Sequence, residues 1–280
     1  MPRREIFGPT TDYTNAKVVV YGVPFEGTTC FLPGTRFGPD CIRDVSWQIE
    51  TYSLRHNADV ADAGVHDAGN IDIVAGDVVA TLLRVRETSR EICKDGKIPL
   101  MLGGEHSITW GAVMGVLDTL GENARLTVLH FDAHMDLRDK WDNSKWSHAC
   151  VMRRLLENAG DKIKIIQYGI RSACREEAEF GRECKIPQFF SWDKKPDEAI
   201  KLISKNNTPL YISIDIDVLD PAFAPGVGTP EPMGLSLMDL LDVVEPVSKW
   251  IIGMDVVEAT NDVRTAAVIS RLLVELLTAL

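Results

Sequence analysis

The chain has 280 residues, of which 45% are hydrophobic and 25% charged, and this composition excludes a largely disordered or fibrous protein. Its 30 basic and 41 acidic side chains leave a formal charge of -11, which disfavours nucleic-acid binding and favours cationic ligands or metal ions. Because no linker, repeat or low-complexity tract marks a boundary, we expect a single domain over 1–280.

Short β-branched segments alternate with helical segments along the chain. Strands are predicted at 17–23, 98–102, 126–131, 163–169, 210–216 and 250–257. Helices are predicted at 71–94, 106–120, 147–159, 173–184, 196–206, 236–248 and 265–280. This alternation predicts an α/β fold with a parallel sheet covered on both faces. The Gly/Pro-rich stretches 32–39 and 221–232 are expected to be loops, and loops of this kind often carry function.

The sequence also predicts where the protein works. The N terminus lacks the apolar segment of a signal peptide, and the most apolar stretch, 265–280, is interrupted by Arg271 and Glu275. The six cysteines include no CxxC pair, which argues against a zinc ribbon or a redox motif. We therefore expect a cytoplasmic protein with free thiols and no membrane contact.

Polar residues follow four of the predicted strands, at the point where each strand ends. In parallel sheets ligands bind beyond the carboxyl ends of the strands, so these residues are candidates for one shared site. Strand 98–102 leads into Gly-Gly-Glu-His, and strand 126–131 leads into Asp-Ala-His-Met-Asp. Strand 210–216 contains Asp215 and leads into Asp217 and Asp220, and strand 250–257 leads into Glu258. The candidates are His106, Asp132, His134, Asp136, Asp215, Asp217 and Glu258.

The spacing within these clusters favours a metal centre. Residues i and i+2 of an extended segment point to the same side about 6.6 Å apart, and two ions about 3.5 to 4 Å apart are within reach of such carboxylates. An oxygen-rich set with two imidazoles and no thiolate favours Mn²⁺, although zinc and cobalt also fit. A lone Asp-x-Asp pair is as often a solvated strand edge, so the prediction depends on the clusters occurring together.

At these residues the sequence resembles the ureohydrolase family, which includes arginase and agmatinase. The matching motifs are 103–107, 132–136, 213–221, Ser147-His148, 224–231 and 255–258. One departure is Glu105, where the family usually has aspartate before the ligand histidine. The resemblance implies a three-layer α/β/α sandwich around a central, mainly parallel sheet and a centre of two Mn²⁺ ions per chain.

The resemblance also implies a role for each candidate. One ion would be held by His106, Asp132, Asp136 and Asp215, and the other by Asp132, His134, Asp215 and Asp217. Asp132 and Asp215 would bridge the two ions. His148 matches the family's mobile catalytic histidine, and Glu258 matches the carboxylate that faces the substrate guanidinium.

This set of residues leads to a mechanistic hypothesis. A metal-bridging hydroxide attacks the guanidinium carbon, which neutral water attacks too slowly. Glu258 orients the guanidinium through paired hydrogen bonds, and His148 carries a proton to the departing amine.

Other interpretations stay open: a thiol nucleophile at Cys150 beside His148, a pairing of Glu258 with Arg264, and a catalytically inactive metal-binding relative. His56 and His66, which have no motif around them, are expected at the surface.

The segment that follows His134 and Asp136 predicts the substrate. Segment 137–154 resembles prokaryotic agmatinases, and an acidic protein suits agmatine, which carries a second positive charge and no carboxylate. We therefore expect hydrolysis of agmatine to putrescine and urea, a step of polyamine biosynthesis. N1-aminopropylagmatine, arginine, guanidinobutyrate, guanidinopropionate and formiminoglutamate are the alternatives. The family resemblance also implies a homo-oligomer, a trimer or a hexamer.

Overall fold

A computed structural model describes residues 4–8 and 10–280, and its centre is a sheet of eight parallel strands. The strands of the chain are β1 Val18–Val23, β2 Tyr52–Ser53, β3 Ala58–Asp59, β4 Val65–Asn70, β5 Ile98–Gly103, β6 Leu126–Phe131, β7 Ile163–Ile170, β8 Gln188–Phe190, β9 Leu210–Asp215 and β10 Ile251–Val257. The sheet order is β4-β1-β5-β10-β9-β6-β7-β8, while β2 and β3 form a separate antiparallel pair. Strands β1, β6 and β9 are buried throughout, as expected for a sheet covered on both faces.

Helices cover both faces of the sheet. They are α1 Gly38–Ser46, α2 Val78–Lys94, α3 Thr109–Leu117, α4 Val151–Ala159, α5 Arg175–Glu183, α6 Pro196–Asn206, α7 Leu237–Val244 and α8 Val263–Ala279. One apolar cluster joins alternate strand residues to α1, α6, α7 and α8, and the other joins the intervening strand residues to α2, α3 and α4. The predicted α/β/α sandwich is therefore confirmed. Among the described residues, no helix is both long and apolar enough to cross a membrane.

The differences from the predicted elements lie mainly at the edges. All six predicted strands are present, but the two outer strands, β4 and β8, were not predicted, nor was α1. Strand β4 reads Val-His-Asp-Ala-Gly-Asn, which has no apolar run, and α1 begins at Gly38-Pro39 within the predicted loop 32–39. Helix α2 begins at Val78 and not at 71, because the Asp77 side chain accepts a hydrogen bond from the Ala80 N–H and caps it.

A buried ion pair joins the two elements that were not predicted. Arg43 of α1 donates to both carboxylate oxygens of Asp67 in β4, at 2.7 and 2.8 Å, and to Asn70 Oδ1 at 2.7 Å. Both charged side chains are 1% exposed. Although burial favours the protonated acid, Arg43 lowers the pKa of Asp67 below its usual value. Polar residues of β4 thus replace the apolar contacts that strands normally use.

We predict that Arg43→Met destabilises the protein by about 3 to 5 kcal/mol, because it leaves the Asp67 carboxylate buried without a partner. Chemical denaturation measures the loss in the free energy of unfolding. The matched control is Arg86→Met: Arg86 pairs with Asp118 at 2.6 Å but is 34% exposed, so its loss should cost about 1 kcal/mol or less. Equal losses in the two variants would contradict the assigned role of the buried pair.

The carboxyl edge of the sheet is covered by the two predicted loops. The Leu32 N–H donates to the Gly228 carbonyl at 3.1 Å, and the Thr260 N–H donates to the Gly226 carbonyl at 2.9 Å. Val227 also forms a bridge with Ala259, just beyond β10. The loop 221–232 therefore lies across the strand ends, over the residues that follow β10.

Candidate metal centre and active site

The sheet order explains why the predicted site residues meet. Strands β5, β10, β9 and β6 are successive neighbours, and because they are parallel their carboxyl ends lie side by side. Each of these four ends carries one group of the candidate residues. The predicted clusters are thus brought together around adjacent strand ends, with Asp132, Asp136, Asp215 and Asp217 all buried.

His106 presents an unpaired nitrogen to three carboxylates. Its Nε2 lies 3.0 Å from Ser213 Oγ. Since the Ser213 hydroxyl donates its hydrogen to Asp255 Oδ1, it must accept from the imidazole, and the Nδ1 atom carries the lone pair. This buried Nδ1 has no hydrogen-bond partner. The Nδ1 atom lies 3.0 to 3.3 Å from one carboxylate oxygen of each of three acids, Asp136, Asp132 and Asp215. One imidazole nitrogen and three carboxylate oxygens form a donor set that fits a divalent cation.

A second cluster shares Asp132 with the first. His134 Nδ1 lies 3.0 Å from Asp217 Oδ2 and 3.4 Å from Asp132 Oδ1, while Asp132 Oδ2 faces His106. One carboxylate thus turns an oxygen to each cluster, as a bridging ligand would. Asp215 differs, because its Oδ2 lies 3.3 Å from His106 Nδ1 while, among the described residues, the second cluster consists only of Asp132, His134 and Asp217. Bridging by Asp215 stays a prediction.

The site residues do not converge in the way that the sequence analysis predicted, by lying on one face of an extended strand. Strand β6 ends at Phe131, before the Asp-x-His-x-Asp segment, and Asp136 has a left-handed backbone with φ of 54°. Asp217 lies in a 3-10 turn after β9. Turns, and not one extended face, therefore direct these side chains inward.

Electrostatic repulsion within the cluster indicates that it needs cations. Burial and the charge of Asp132 raise the pKa of Asp136 to about 7. Burial together with Asp217 and Asp132 raises the pKa of Asp215 well above its usual value. Positive ions would offset both the repulsion and the lost hydration of these acids.

His130, which the sequence analysis did not single out, is a buried residue of β6 that contacts the Asp132 carboxylate. Gln167 lies opposite His130 on β7 and donates from Nε2 to both the Met135 carbonyl, at 2.7 Å, and His130 Nδ1, at 3.1 Å. The His130 Nδ1 atom is therefore an acceptor, and its Nε2–H donates to Asp132 Oδ2 at 2.8 Å. His130 holds the shared carboxylate in place, and only the β6–β7 register reveals this role.

We predict that His130→Ala weakens metal binding about 10- to 100-fold while the protein remains folded, since it removes the group that orients Asp132. Metal titration of the apoprotein by calorimetry measures the change. The control is His66→Ala, because His66 lies on the edge strand β4, away from the metal cluster, with its Nδ1 hydrogen-bonded to the Thr11 carbonyl at 2.8 Å. Unchanged affinity in the His130 variant would refute the role.

Glu258 and His148 lie on one cavity with the metal cluster. The cavity has a volume of about 280 Å³, and its lining includes Glu258, His148, His134, Asp136 and Asp215. Glu258 has a left-handed backbone, with φ of 64°, and its Oε1 accepts a hydrogen bond from the His106 N–H at 2.7 Å. Burial and the neighbouring Glu105 raise its pKa to about 8. Burial lowers the pKa of His148, so its imidazole is neutral near pH 7.

The cavity is strongly acidic. Its charged lining comprises one arginine, Arg138, and five acids, of which Asp136 and Asp215 are candidate metal ligands. Three acids, Glu177, Glu231 and Glu258, remain to face a ligand. Arg138 stacks over the Trp141 ring, with its guanidinium carbon 4.5 Å from the ring centroid. This lining suits a cationic ligand and disfavours a carboxylate.

Several open interpretations are settled by these positions. Cys150 is fully buried and burial raises its thiol pKa to about 11, which makes it a poor nucleophile. Arg264 pairs with Asp262 and not with Glu258. His56, which we expected at the surface, is partly buried: its side chain is 21% exposed, and its Nε2 lies 3.3 Å from Glu245 Oε1.

Comparison with known proteins agrees with the geometry. The model of the arginase family matches residues 16–279. The N(1)-aminopropylagmatine ureohydrolase of Thermococcus kodakarensis is 38% identical over 91% of this chain and 86% of its own length. The agmatinase of Pyrococcus horikoshii is 36% identical over 91% and 87%.

A solved structure shows the same fold. The crystal structure of the agmatine ureohydrolase of Thermoplasma volcanium superposes with a TM-score of 0.86 at 36% identity, covering 96% of this chain and 91% of that one. The prediction of a hydrolase is confirmed by such relatives. With the family model covering nearly the whole chain, the protein belongs to the arginase family.

Proposed function

We propose that this protein hydrolyses the guanidinium group of agmatine to putrescine and urea with two divalent metal ions, Mn²⁺ by the chemistry of its ligands. The observation that carries the proposal is the unpaired His106 Nδ1 facing three carboxylates, beneath an acidic cavity that also presents Glu258 and His148. The relatives named agmatinase support the substrate class.

The metal ligands we propose are those of the two clusters. His106, Asp132, Asp136 and Asp215 would hold one ion, and Asp132, His134, Asp215 and Asp217 the other. When bound, the ions lower the pKa of water to about 7 and so supply a hydroxide nucleophile at neutral pH.

The remaining residues bind the substrate and move a proton. Glu258 is fixed through Oε1 by the His106 N–H and leaves Oε2 to accept from the guanidinium. The positive charge of a bound guanidinium lowers the raised pKa of Glu258 and so favours its carboxylate form. The water oxygen bonds to the guanidinium carbon, and the bond from that carbon to the chain nitrogen breaks. His148 lines the cavity, with its Nε2 3.6 Å from Cys30 Sγ of the same lining. It takes a proton from the added water oxygen and passes it to this nitrogen, which leaves as the amine while the carbon and the added oxygen become the carbonyl of urea.

A second candidate substrate is N1-aminopropylagmatine. The Thermococcus kodakarensis relative carries that name, and a longer polyamine with an additional positive charge also suits the acidic cavity. The metal centre would act on either guanidinium in the same way, so the two substrates differ only in the contacts of the distal amine.

Urea release after manganese loading tests the proposal. Agmatine, N1-aminopropylagmatine, arginine and guanidinobutyrate are assayed at equal concentrations, and agmatine is expected to give the highest kcat/KM. A higher value for another guanidine would keep the chemistry and reassign the substrate. No urea from any of them, with two ions bound, would refute the proposed reaction and direct the assay to formiminoglutamate. The cytoplasmic location and the trimeric or hexameric state stay predictions, and light scattering tests the latter.

A further inference from the structure

Glu105, the one departure from the family motifs, is fully buried and accepts four hydrogen bonds. Its Oε2 accepts from the Gly27 and Thr28 N–H groups at 2.6 Å, and its Oε1 accepts from the Thr28 and Ser107 hydroxyls at 2.7 and 2.6 Å. Four donors meet the hydrogen-bonding requirement of this buried side chain. Glu105 therefore holds the segment 27–28 in place.

The backbone beside Glu105 packs directly against this segment. A Cβ atom at Gly104 would lie 1.9 Å from the Phe25 carbonyl oxygen, so only glycine permits the approach. The Glu105 N–H also donates to that Phe25 carbonyl at 2.9 Å. The segment 25–28 is thus fixed on the strand end of β5.

Thr28 connects this carboxylate to His148. Thr28 Oγ1 lies 3.0 Å from His148 Nδ1 and accepts from the His148 N–H at 3.1 Å. A hydroxyl has one hydrogen, and Thr28 donates it to the nearer acceptor, Glu105 Oε1. Toward His148 the oxygen can then only accept, which favours a proton on His148 Nδ1. Ser147 Oγ lies 3.3 Å from the same nitrogen and can also accept from it.

We propose that Glu105 and Thr28 are positioning residues for His148, which fix its Nδ1–H tautomer and direct the Nε2 lone pair into the cavity. This inference depends on the proposed function only for the role of His148 as proton carrier. Nε2 lies 3.6 Å from Cys30 Sγ at the cavity wall. Only Nε2 gains and loses the transferred proton, while the Nδ1–H group keeps its hydrogen bond to Thr28 Oγ1.

The test compares Thr28→Val, which removes the hydroxyl, with Thr28→Ser, which keeps it. In the manganese-loaded enzyme we expect Thr28→Val to lower kcat about 10- to 100-fold, the effect of one lost hydrogen bond to a charged group. KM and the bound metal should change little, and Thr28→Ser should restore most of kcat. A loss of metal parallel to kcat, or no rescue by serine, would overturn the positioning role.

A second readout does not need turnover. The protein, labelled with ¹⁵N only at its six histidines and loaded with a diamagnetic divalent ion, is measured by solid-state NMR, and His148→Asn assigns the His148 signals. We expect a protonated Nδ1 and an unprotonated Nε2 in the wild type and in Thr28→Ser, and a changed or mixed tautomer in Thr28→Val. The same tautomer in all three proteins would overturn the inference. If no guanidine is hydrolysed, this spectrum still tests the positioning residues, so the two proposals fail separately.

Discussion

Replacing Asp132 with alanine is expected to remove bound metal and to lower urea release by about 1,000-fold or more, since a metal ion contributes several kcal/mol to such a reaction. Asp132 is the residue that turns one oxygen toward each cluster, Oδ2 to His106 and Oδ1 to His134. Its removal therefore takes a ligand from both proposed ions. Metal content after gel filtration and urea release measure the two effects.

Stability gives an independent readout for the same variant. In the wild type, added manganese should raise Tm, because the ions bind only the folded state. In Asp132→Ala that increase should largely vanish. The apoprotein itself should be less stable, because the variant leaves the buried His130 Nε2–H and the His134 N–H without the carboxylate that accepts from them. Asp161→Ala is the control, since Asp161 is an exposed acid that pairs with Arg125, far from the proposed ligands in the sequence. Full manganese retention in Asp132→Ala would refute the bridging assignment. The parallel variant Asp215→Ala tests the second proposed bridge.

The predictable part of the fold is the part held by apolar periodicity. The six inner strands are runs of β-branched and apolar residues, so their positions, and the polar residues at their ends, could be predicted from sequence. The outer strand β4 could not, because the buried pair of Asp67 with Arg43 replaces the apolar signal there. An ion pair between residues distant in sequence leaves no periodic pattern.

The same limit applies to the site. Ligand residues such as Asp132 and His106 could be predicted because each follows a strand in a recognisable motif. The residues that orient them depend on the pairing of elements: His130 on its register with Gln167, and the tautomer of His106 on Ser213 and Asp255 across β9 and β10. Thr28 lies in a loop with no periodicity at all. Its contact with His148 spans 120 residues and becomes visible only in the folded chain.

Replacing His148 with asparagine should leave both metal ions bound but lower kcat about 100- to 10,000-fold, the usual contribution of a positioned acid or base. Asparagine keeps an N–H for Thr28 Oγ1, so the loop contact at 3.0 Å has a substitute. What the variant loses is a nitrogen that can be protonated, facing Glu258 and the metal cluster across the cavity. KM should change only slightly, because Glu258 still binds the guanidinium.

The measurement is steady-state urea release from manganese-loaded protein, with metal content determined on the same sample. Free imidazole added to His148→Asn should restore part of the rate, because it can enter the cavity and carry the missing proton. His66→Asn is the matched control, since His66 bonds to the Thr11 carbonyl and does not line the cavity. An unchanged kcat in His148→Asn would assign proton transfer to another group. A fall in kcat accompanied by loss of metal would instead place His148 among the residues that hold the centre together, because a proton carrier by itself does not affect metal binding.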